Sequence, residues 1–324
     1  MTKLVYPKSK IQNPKLKLVF ILILLLLVGC RRAAPAAPLR IAVLPILDTL
    51  PLYVAETEGY FTQHGVTVEL VPAASAAERD QLLQAGQVDG VITDLVALAL
   101  YNRESPEVVA VRYAMVATPD FAQFRILAAA QSGFTRPADL RDISIGVSEG
   151  TVIEYVTTRL LQAEGLADDE IATLAVPKIA DRMALLNAGE LQAATLPEPL
   201  ASLAIQQGAV VIMDDARHPE FSCSLFAFRQ ASVKAQPEAI RNFLTAIEQA
   251  SAAINADKGR WSNLLTEKQL VPPALEAYPL PDYPAAAVPT EAQFDDVLAW
   301  LEATERLAET PSYSDVVNAA FLEK

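Results

Sequence analysis

The sequence predicts an α/β protein of two hinged lobes, each a mostly parallel sheet flanked by helices. Strand and helix signals alternate from Leu39 onward at the spacing of βαβ units, which argues for parallel sheets covered by helices. The alternation runs as two separate series, over residues 39–125 and 126–222, and a helical stretch over 223–324 follows a single returning strand. At 324 residues the chain is long for one hydrophobic core and natural for two. The economical arrangement has 39–125 and 223–324 in lobe one and 126–222 as an inserted lobe two. The chain then crosses between lobes twice, and those crossings form the hinge.

The elements follow in order. Leu39 to Leu44 is an apolar run of strand length, and Pro51 to His64 carries Leu52, Ala55, Tyr60 and Phe61 at helical spacing before Gly65. Val66 to Val71 alternates with period two. Ala76 to Ala85 is a helix stopped by Gly86, and Val88 to Thr93 is a strand whose following Asp94 caps a helix over Leu95 to Asn102. Val108 to Ala117 and Phe124 to Ala130 are further strands. The second series places strands at 143–147, 171–176, 191–196 and 209–213. Its helices lie at 152–164, 180–188 and 200–207, several of them closed by glycine. Ser222 to Arg229 is the returning strand. Helices are expected at 237–256, 257–269, 273–277, 291–307 and 313–321.

Residues 1–29 read as a secretory leader. Lys3, Lys8, Lys10, Lys15 and Lys17 form a basic start without acids, and Leu18 to Val28 is an unbroken apolar core. That core is short of the roughly 20 residues a membrane span needs, although Arg31 and Arg32 would suit the end of one. The segment closes on Leu27-Val28-Gly29-Cys30, which resembles the bacterial lipobox. The resemblance implies cleavage before Cys30, its lipidation, and an extracytoplasmic protein held at the bacterial cell membrane by lipid. Two acyl chains give stable anchoring where one does not. Residues 30–38 are an Ala/Pro linker whose prolines keep it extended.

Charge and cysteine content narrow the rest. The formal net charge is −13, and the five leader lysines account for part of the basic side. So acidic a body neither binds nucleic acid by charge nor adheres to an anionic leaflet. Beyond Cys30 the one cysteine is Cys223, in an apolar strand-like run, so no internal disulfide is expected. His64 and His218 are the only histidines and neither has a ligand partner at metal spacing, so no metal or cofactor is expected.

The segment from Leu39 to Asp94 resembles the solute-binding proteins of ABC importers, in the branch serving nitrate, sulfonates, taurine and thiamine pyrimidine precursors. The matching positions are Pro51-Leu52-Tyr53-Val54-Ala55, Glu58-Gly59-Tyr60-Phe61, Gly65, Glu69, Leu83, Gly86, Asp89 and Asp94. Ile145-Gly146-Val147, Gly150-Thr151 and Glu198-Pro199 fit as well. The resemblance covers essentially the whole mature chain and implies the type II periplasmic-binding-protein fold. It also implies a small-molecule ligand, an ABC permease and its ATPase subunit as partners, and a monomer. Most matched positions serve the scaffold: Tyr60, Phe61, Gly86 and Asp89 are expected to be structural.

In open α/β sheets, ligands sit beyond the carboxyl ends of strands, where helix N-termini point. Those loops supply Asp48 and Thr49, Thr93 and Asp94, Ser148, Glu149 and Thr151, and Glu198, with Tyr155 one turn into a helix that starts there. Four of these are acids, and none of the loops holds Lys or Arg. The pattern therefore favours a neutral or amino-bearing ligand such as a heteroaromatic ring, whose N–H groups donate to carboxylates. Tyr53, Phe121 and Tyr155 are the aromatics available to stack on it. A sulfonate, taurine or nitrate ligand and a receptor-feeding sensory lipoprotein stand as alternatives. The same branch includes a pyrimidine-synthesising enzyme with a cysteine-rich motif and a pocket histidine. This chain lacks the motif and places His64 late in a helix, and it shows no nucleophile–base–acid set or phosphate loop. The reading is a binding protein, not an enzyme.

Overall fold

A computed structural model describes residues 37–275 and 278–322. The leader, Cys30 and most of the linker lie outside these residues. Two five-stranded sheets are present.

The first sheet has the order β2-β1-β3-β10-β4, formed by β1 (Leu39–Val43), β2 (Val68–Pro72), β3 (Gly90–Thr93), β4 (Val108–Val116) and β10 (Cys223–Arg229). The second has the order β7-β6-β8-β5-β9, formed by β5 (Phe124–Ala128), β6 (Ser144–Val147), β7 (Ala172–Ala175), β8 (Ala193–Pro197) and β9 (Val210–Asp214). Each sheet has one strand running against the others. That strand is β10 between β3 and β4 in the first sheet, and β5 between β8 and β9 in the second. Each reversed strand is the first one after a crossing, at 117–123 and at 215–222. The two lobes therefore share one topology, and each crossing runs from an edge strand of one sheet, β4 or β9, to an interior strand of the other, β5 or β10.

Helices fill the connections. In lobe one these are α1 (Leu50–Thr57), α2 (Tyr60–Gln63), α3 (Ala76–Gln84) and α4 (Leu95–Tyr101), and in lobe two α5 (Val152–Ala163), α6 (Ile179–Ala188) and α7 (Leu200–Gln206). The C-terminal part adds α8 (Gln230–Ala235), α9 (Pro237–Ala256), α10 (Ser262–Glu267), α11 (Glu291–Ala303) and α12 (Tyr313–Val316). Sequence controls their ends locally. Ser75 accepts from Glu78 N at 3.2 Å, Asp94 from Ala97 N at 2.9 Å, and Thr151 from Ile153 N at 3.2 Å, each satisfying an orphan N–H of a first turn.

Period-two alternation in the strands builds three apolar layers. Ile126 and Ala128 of β5, with Ala227 and Leu225 of β10, face one core that also holds α4, α5 and α11. Leu127 and Leu196 face a smaller cluster under α6 and α7. Phe226 and Phe228 face a third, where Phe243 of α9 stacks on Phe61 with ring centroids 5.7 Å apart.

Four expected elements come out differently. The helix over 51–64 breaks at Gly59, whose φ of +73° ends α1 and lets α2 start in a new direction. The helix over 257–269 resolves into a 3₁₀ turn, Lys258–Trp261, and the short α10. Among the described residues no helix begins at Pro273, and Leu275 N closes a turn on Pro272 O instead. The helix over 313–321 ends at Val316 because Val317 leaves it to bridge Ala110 on β4.

Candidate ligand-binding cleft

The carboxyl ends of β1, β3, β6 and β8 bring loops from both lobes to one gap. The gap has two connected spaces. An inner space of about 140 Å³ lies against the crossings and is lined by Asp48, Thr93, Asp94, Gln123, Glu198 and Ser224. Its apolar walls include Leu47, Met115, Phe121 and Val152. An outer space of about 1360 Å³ opens beyond it, and Ser148, Thr151 and Lys178 line its lobe-two side. Arg79, Asp94 and Val152 border both spaces.

Asp48 and Asp94 are the inner carboxylates without an ion pair among the described residues. Burial pushes the Asp48 carboxyl above its ordinary range. Burial does the same to Asp94, against the pull of the Ala97 N–H and the Arg79 charge. Arg79 is 7 % exposed on α3. It donates to Asp80 Oδ1 at 2.8 Å, Ile92 O at 3.0 Å and Tyr101 Oη at 3.3 Å, so each of its three nitrogens makes one bond within the cleft wall. The buried Ser224 hydroxyl belongs to the same lining; it makes no hydrogen bond of ordinary geometry among the described residues, but it faces the Asp48 carboxyl closely enough to pull it back down against burial.

Glu198 borders the space but is committed to the protein. Its Oε1 accepts from Arg125 Nε at 2.6 Å and its Oε2 from Tyr278 Oη at 3.0 Å, and its side chain is 3 % exposed. Thr93 is buried, with its hydroxyl 3.5 Å from Tyr101 Oη. Ser148 donates to Pro177 O at 3.1 Å and accepts from Arg182 Nη1 at 2.9 Å. Arg182 itself is fully buried with no carboxylate partner among the described residues, and burial pulls its guanidinium down to about 10. Thr151 donates to Ser148 O at 2.6 Å while capping α5.

Three of the expected contacts face elsewhere. Thr49 is fully buried and donates to Ile46 O at 2.6 Å, so it shapes the loop from within. Glu149 is exposed outside both spaces, 3.6 Å from Arg306. Tyr155 is 2 % exposed, donates to Asp296 Oδ2 at 2.6 Å and packs edge-on against Trp300. Of the three stacking candidates Phe121 reaches the inner space, whereas Tyr53 lies beneath Lys268, 5.0 Å from its ring centre.

Sequence reasoning counted four uncompensated loop acids. The fold supplies arginines from distant segments to two of them, Arg125 to Glu198 and Arg306 to Glu149. It also missed Arg79, Gln123 and Ser224. Two signals were available: Arg125 is the lone charge in the strand FRILA, and Ser224 the lone hydroxyl in CSLFAF.

Among solved structures, the aliphatic sulphonate binding protein SsuA from Escherichia coli superimposes with a TM-score of 0.73 at 18% identity. The match covers 86% of this chain and 91% of that one. The alkanesulfonate-binding protein SsuA from Xanthomonas axonopodis pv. citri, bound to MOPS, gives 0.72 at 19% identity over 88% and 99%. The desulfurization enzyme DSZB gives 0.66 at 14% identity over 88% and 97%, so the fold also carries catalysis. These likenesses establish the periplasmic-binding-protein fold. No curated protein sequence matches the chain. The NMT1-like family model matches residues 32–264, most of the chain, and the protein belongs to the NMT1-like family.

Proposed function

We propose that this protein is the solute-binding component of an ABC importer, and that it captures a neutral or amino-bearing heteroaromatic nutrient between its lobes. Ligand touches loops of both lobes when the lobes close about the crossings at 117–123 and 215–222, and binding shifts the population toward that form. The closed protein delivers its ligand to a membrane permease whose ATPase is a separate subunit. The body is extracytoplasmic and monomeric, tethered through lipid on Cys30, and performs no catalysis.

One observation carries the ligand class. The inner space faces both lobes and sets Asp48 and Asp94, neither in an ion pair among the described residues, against the apolar walls of Leu47, Met115, Phe121 and Val152. A dry cavity of roughly 150 Å³ holds one benzene, so about 140 Å³ suits a single six-membered ring. Ring or exocyclic N–H groups would donate to the two carboxylates, and Phe121 would supply a face. A sulfonate would add a third negative charge. Sulfonate is nevertheless the competing reading, because Arg79 borders both spaces and two similar structures are SsuA proteins.

Thermal-shift screening against aminopyrimidines, other vitamin-like heteroaromatics, taurine, alkanesulfonates and nitrate tests this, with calorimetry on any hit. A stabilising shift confined to amino-heteroaromatics is expected. A shift with alkanesulfonates alone refutes the ligand class, and no shift from any compound refutes the pocket assignment.

A further inference from the structure

Asp215 is fully buried where the second crossing leaves β9. Its carboxylate gathers three donors from two chain segments. Oδ1 accepts from Gln123 N at 2.9 Å, and Oδ2 from Phe124 N at 3.1 Å and Ser222 Oγ at 2.5 Å. Gln123 ends the first crossing and Phe124 opens β5, and Ser222 ends the second crossing just before β10. A single side chain thus joins both crossings where each passes between lobes.

The first crossing also reaches the ligand space. Gln123 and Phe124 line the inner pocket. Gln123 O accepts from Glu198 N at 2.8 Å. In its hydrogen-bond-satisfying orientation the Gln123 side-chain oxygen accepts from Val116 N at 3.2 Å and Ala117 N at 2.8 Å, at the end of β4. Gln123 therefore touches both sheets, and Asp215 holds its backbone.

We propose that Asp215 is a positioning residue that pins the two crossings together and, through Gln123 and Phe124, sets the back wall of the inner pocket, so that parting the crossings is coupled to loss of its proton. The coupling to ligand rests on the binding reading above, but the pin does not.

Its sign follows from the surroundings. Burial pushes the Asp215 carboxyl up to about 7, against the pull of Ser222, Phe124 and Gln123, and the neighbouring Asp214 adds to the rise. No cation pairs with Asp215 among the described residues. On β5, Arg125 is engaged by Asp214 at 2.5 Å and by Glu198. His218, in the same crossing, faces Glu220 at 3.4 Å. The net rise means that the ionised carboxylate is less favourable here than in water. The closed form retains the proton up to about pH 7, when the carboxyl can donate to Ser222 Oγ, whereas a hydrated carboxyl titrates near its ordinary value of 3.8. Between those two values an opening that hydrates the group releases the proton, so opening becomes more favourable as pH rises through that window, and above about 7 both forms are ionised and the equilibrium levels off. At most one proton is released, so each pH unit within the window shifts the opening equilibrium at most tenfold.

Amide hydrogen exchange of full-length protein in detergent, across about pH 5 to 9 and corrected for intrinsic rates, tests this without ligand. Protection at Gln123 and Phe124 should fall by up to tenfold per unit as pH rises toward about 7 and level off above that midpoint. Asp215→Asn, permanently neutral, should remove the pH dependence, and His218→Gln should keep it. Ser222→Ala removes a donor to the ionised form and should move the midpoint upward, which a merely structural Asp215 would not do. A flat wild-type profile overturns the proposal. So does a wild-type slope in Asp215→Asn, loss of the slope in His218→Gln, or an unmoved midpoint in Ser222→Ala. Should Asp215→Asn not fold, the Ser222→Ala midpoint decides. Because no ligand is added, failure here and failure of the binding reading are separate results.

Discussion

Replacing Glu198 by alanine decides whether that carboxylate serves the ligand or the protein. Its side chain is 3 % exposed and receives Arg125 Nε at 2.6 Å, Tyr278 Oη at 3.0 Å and Ser202 N at 3.3 Å. Truncating one partner of a buried pair costs about 3–5 kcal/mol. Two features lower the figure here. Arg125 is 24 % exposed, and it keeps Asp214 at 2.5 Å. The Tyr278 hydroxyl loses its acceptor at a further cost of about 1 kcal/mol. The expected loss is about 2–3 kcal/mol, read from the shift of the urea midpoint at unchanged slope.

Tyr278→Phe supplies the partner for a double-mutant cycle. Alone it should cost about 1 kcal/mol. In the Glu198→Ala background it should cost close to nothing, because its hydrogen bond is already gone. A loss below about 0.5 kcal/mol for Glu198→Ala, the range of an ordinary surface substitution, combined with a large loss of ligand affinity, would refute the argument. Glu198 would then be a ligand contact after all.

Three further outcomes follow from the same structure. Asp48→Asn should leave thermal stability unchanged or raised, since burial disfavours its charge, while weakening binding of the screening hit about tenfold or more by calorimetry. Tyr155→Phe should cost about 1 kcal/mol in denaturant through loss of the bond to Asp296 and leave ligand affinity unchanged, because the hydroxyl faces α11 rather than the cleft. Gly90→Ala should destabilise by about 1–3 kcal/mol, because a Cβ there would meet the Phe228 ring at 2.7 Å; a neutral result would show that Phe228 is free to move.

Much of the fold was legible because local signals and burial agree. Thr290 and Gln293 form a reciprocal cap that starts α11, and the bounds read for α9, Pro237 to Ala256, are those observed. The breaks that escaped notice depend on long-range partners: Val317 abandons its helix for Ala110, which lies far earlier in the chain. The site was half legible for the same reason. The loops were found from strand ends, so Asp48, Thr93, Asp94, Ser148 and Thr151 do border the gap. Which way a side chain turns depends on its partner. Tyr155 turns to Asp296 and Trp300, and Glu198 to Arg125 and Tyr278. Loop composition suggested an uncompensated acidic mouth, but charge balance in a cleft is settled by residues that sequence distance hides.

The shared apolar layer constrains how the lobes can move. Leu95 and Leu98 of α4, Tyr155 and Val156 of α5, and Phe294 and Trp300 of α11 lie in one core that spans both sheets. An aromatic ring of this kind buries roughly 150–250 Å². Parting α5 from α11 enough to expose Tyr155, which packs edge-on against Trp300, costs about 5 kcal/mol at roughly 25 cal/mol per Å². That leaves an open form at a few parts in ten thousand, too sparse for a binding cycle that needs ready entry. Under the proposed closure, rotation of the lobes would therefore pivot about this layer and keep it packed. The cleft faces have no such barrier, because the outer space of about 1360 Å³ already separates Ser148 and Lys178 from α3 and α4. On that account opening would widen the outer mouth, while the inner pocket, bounded by the two crossings, would change shape least.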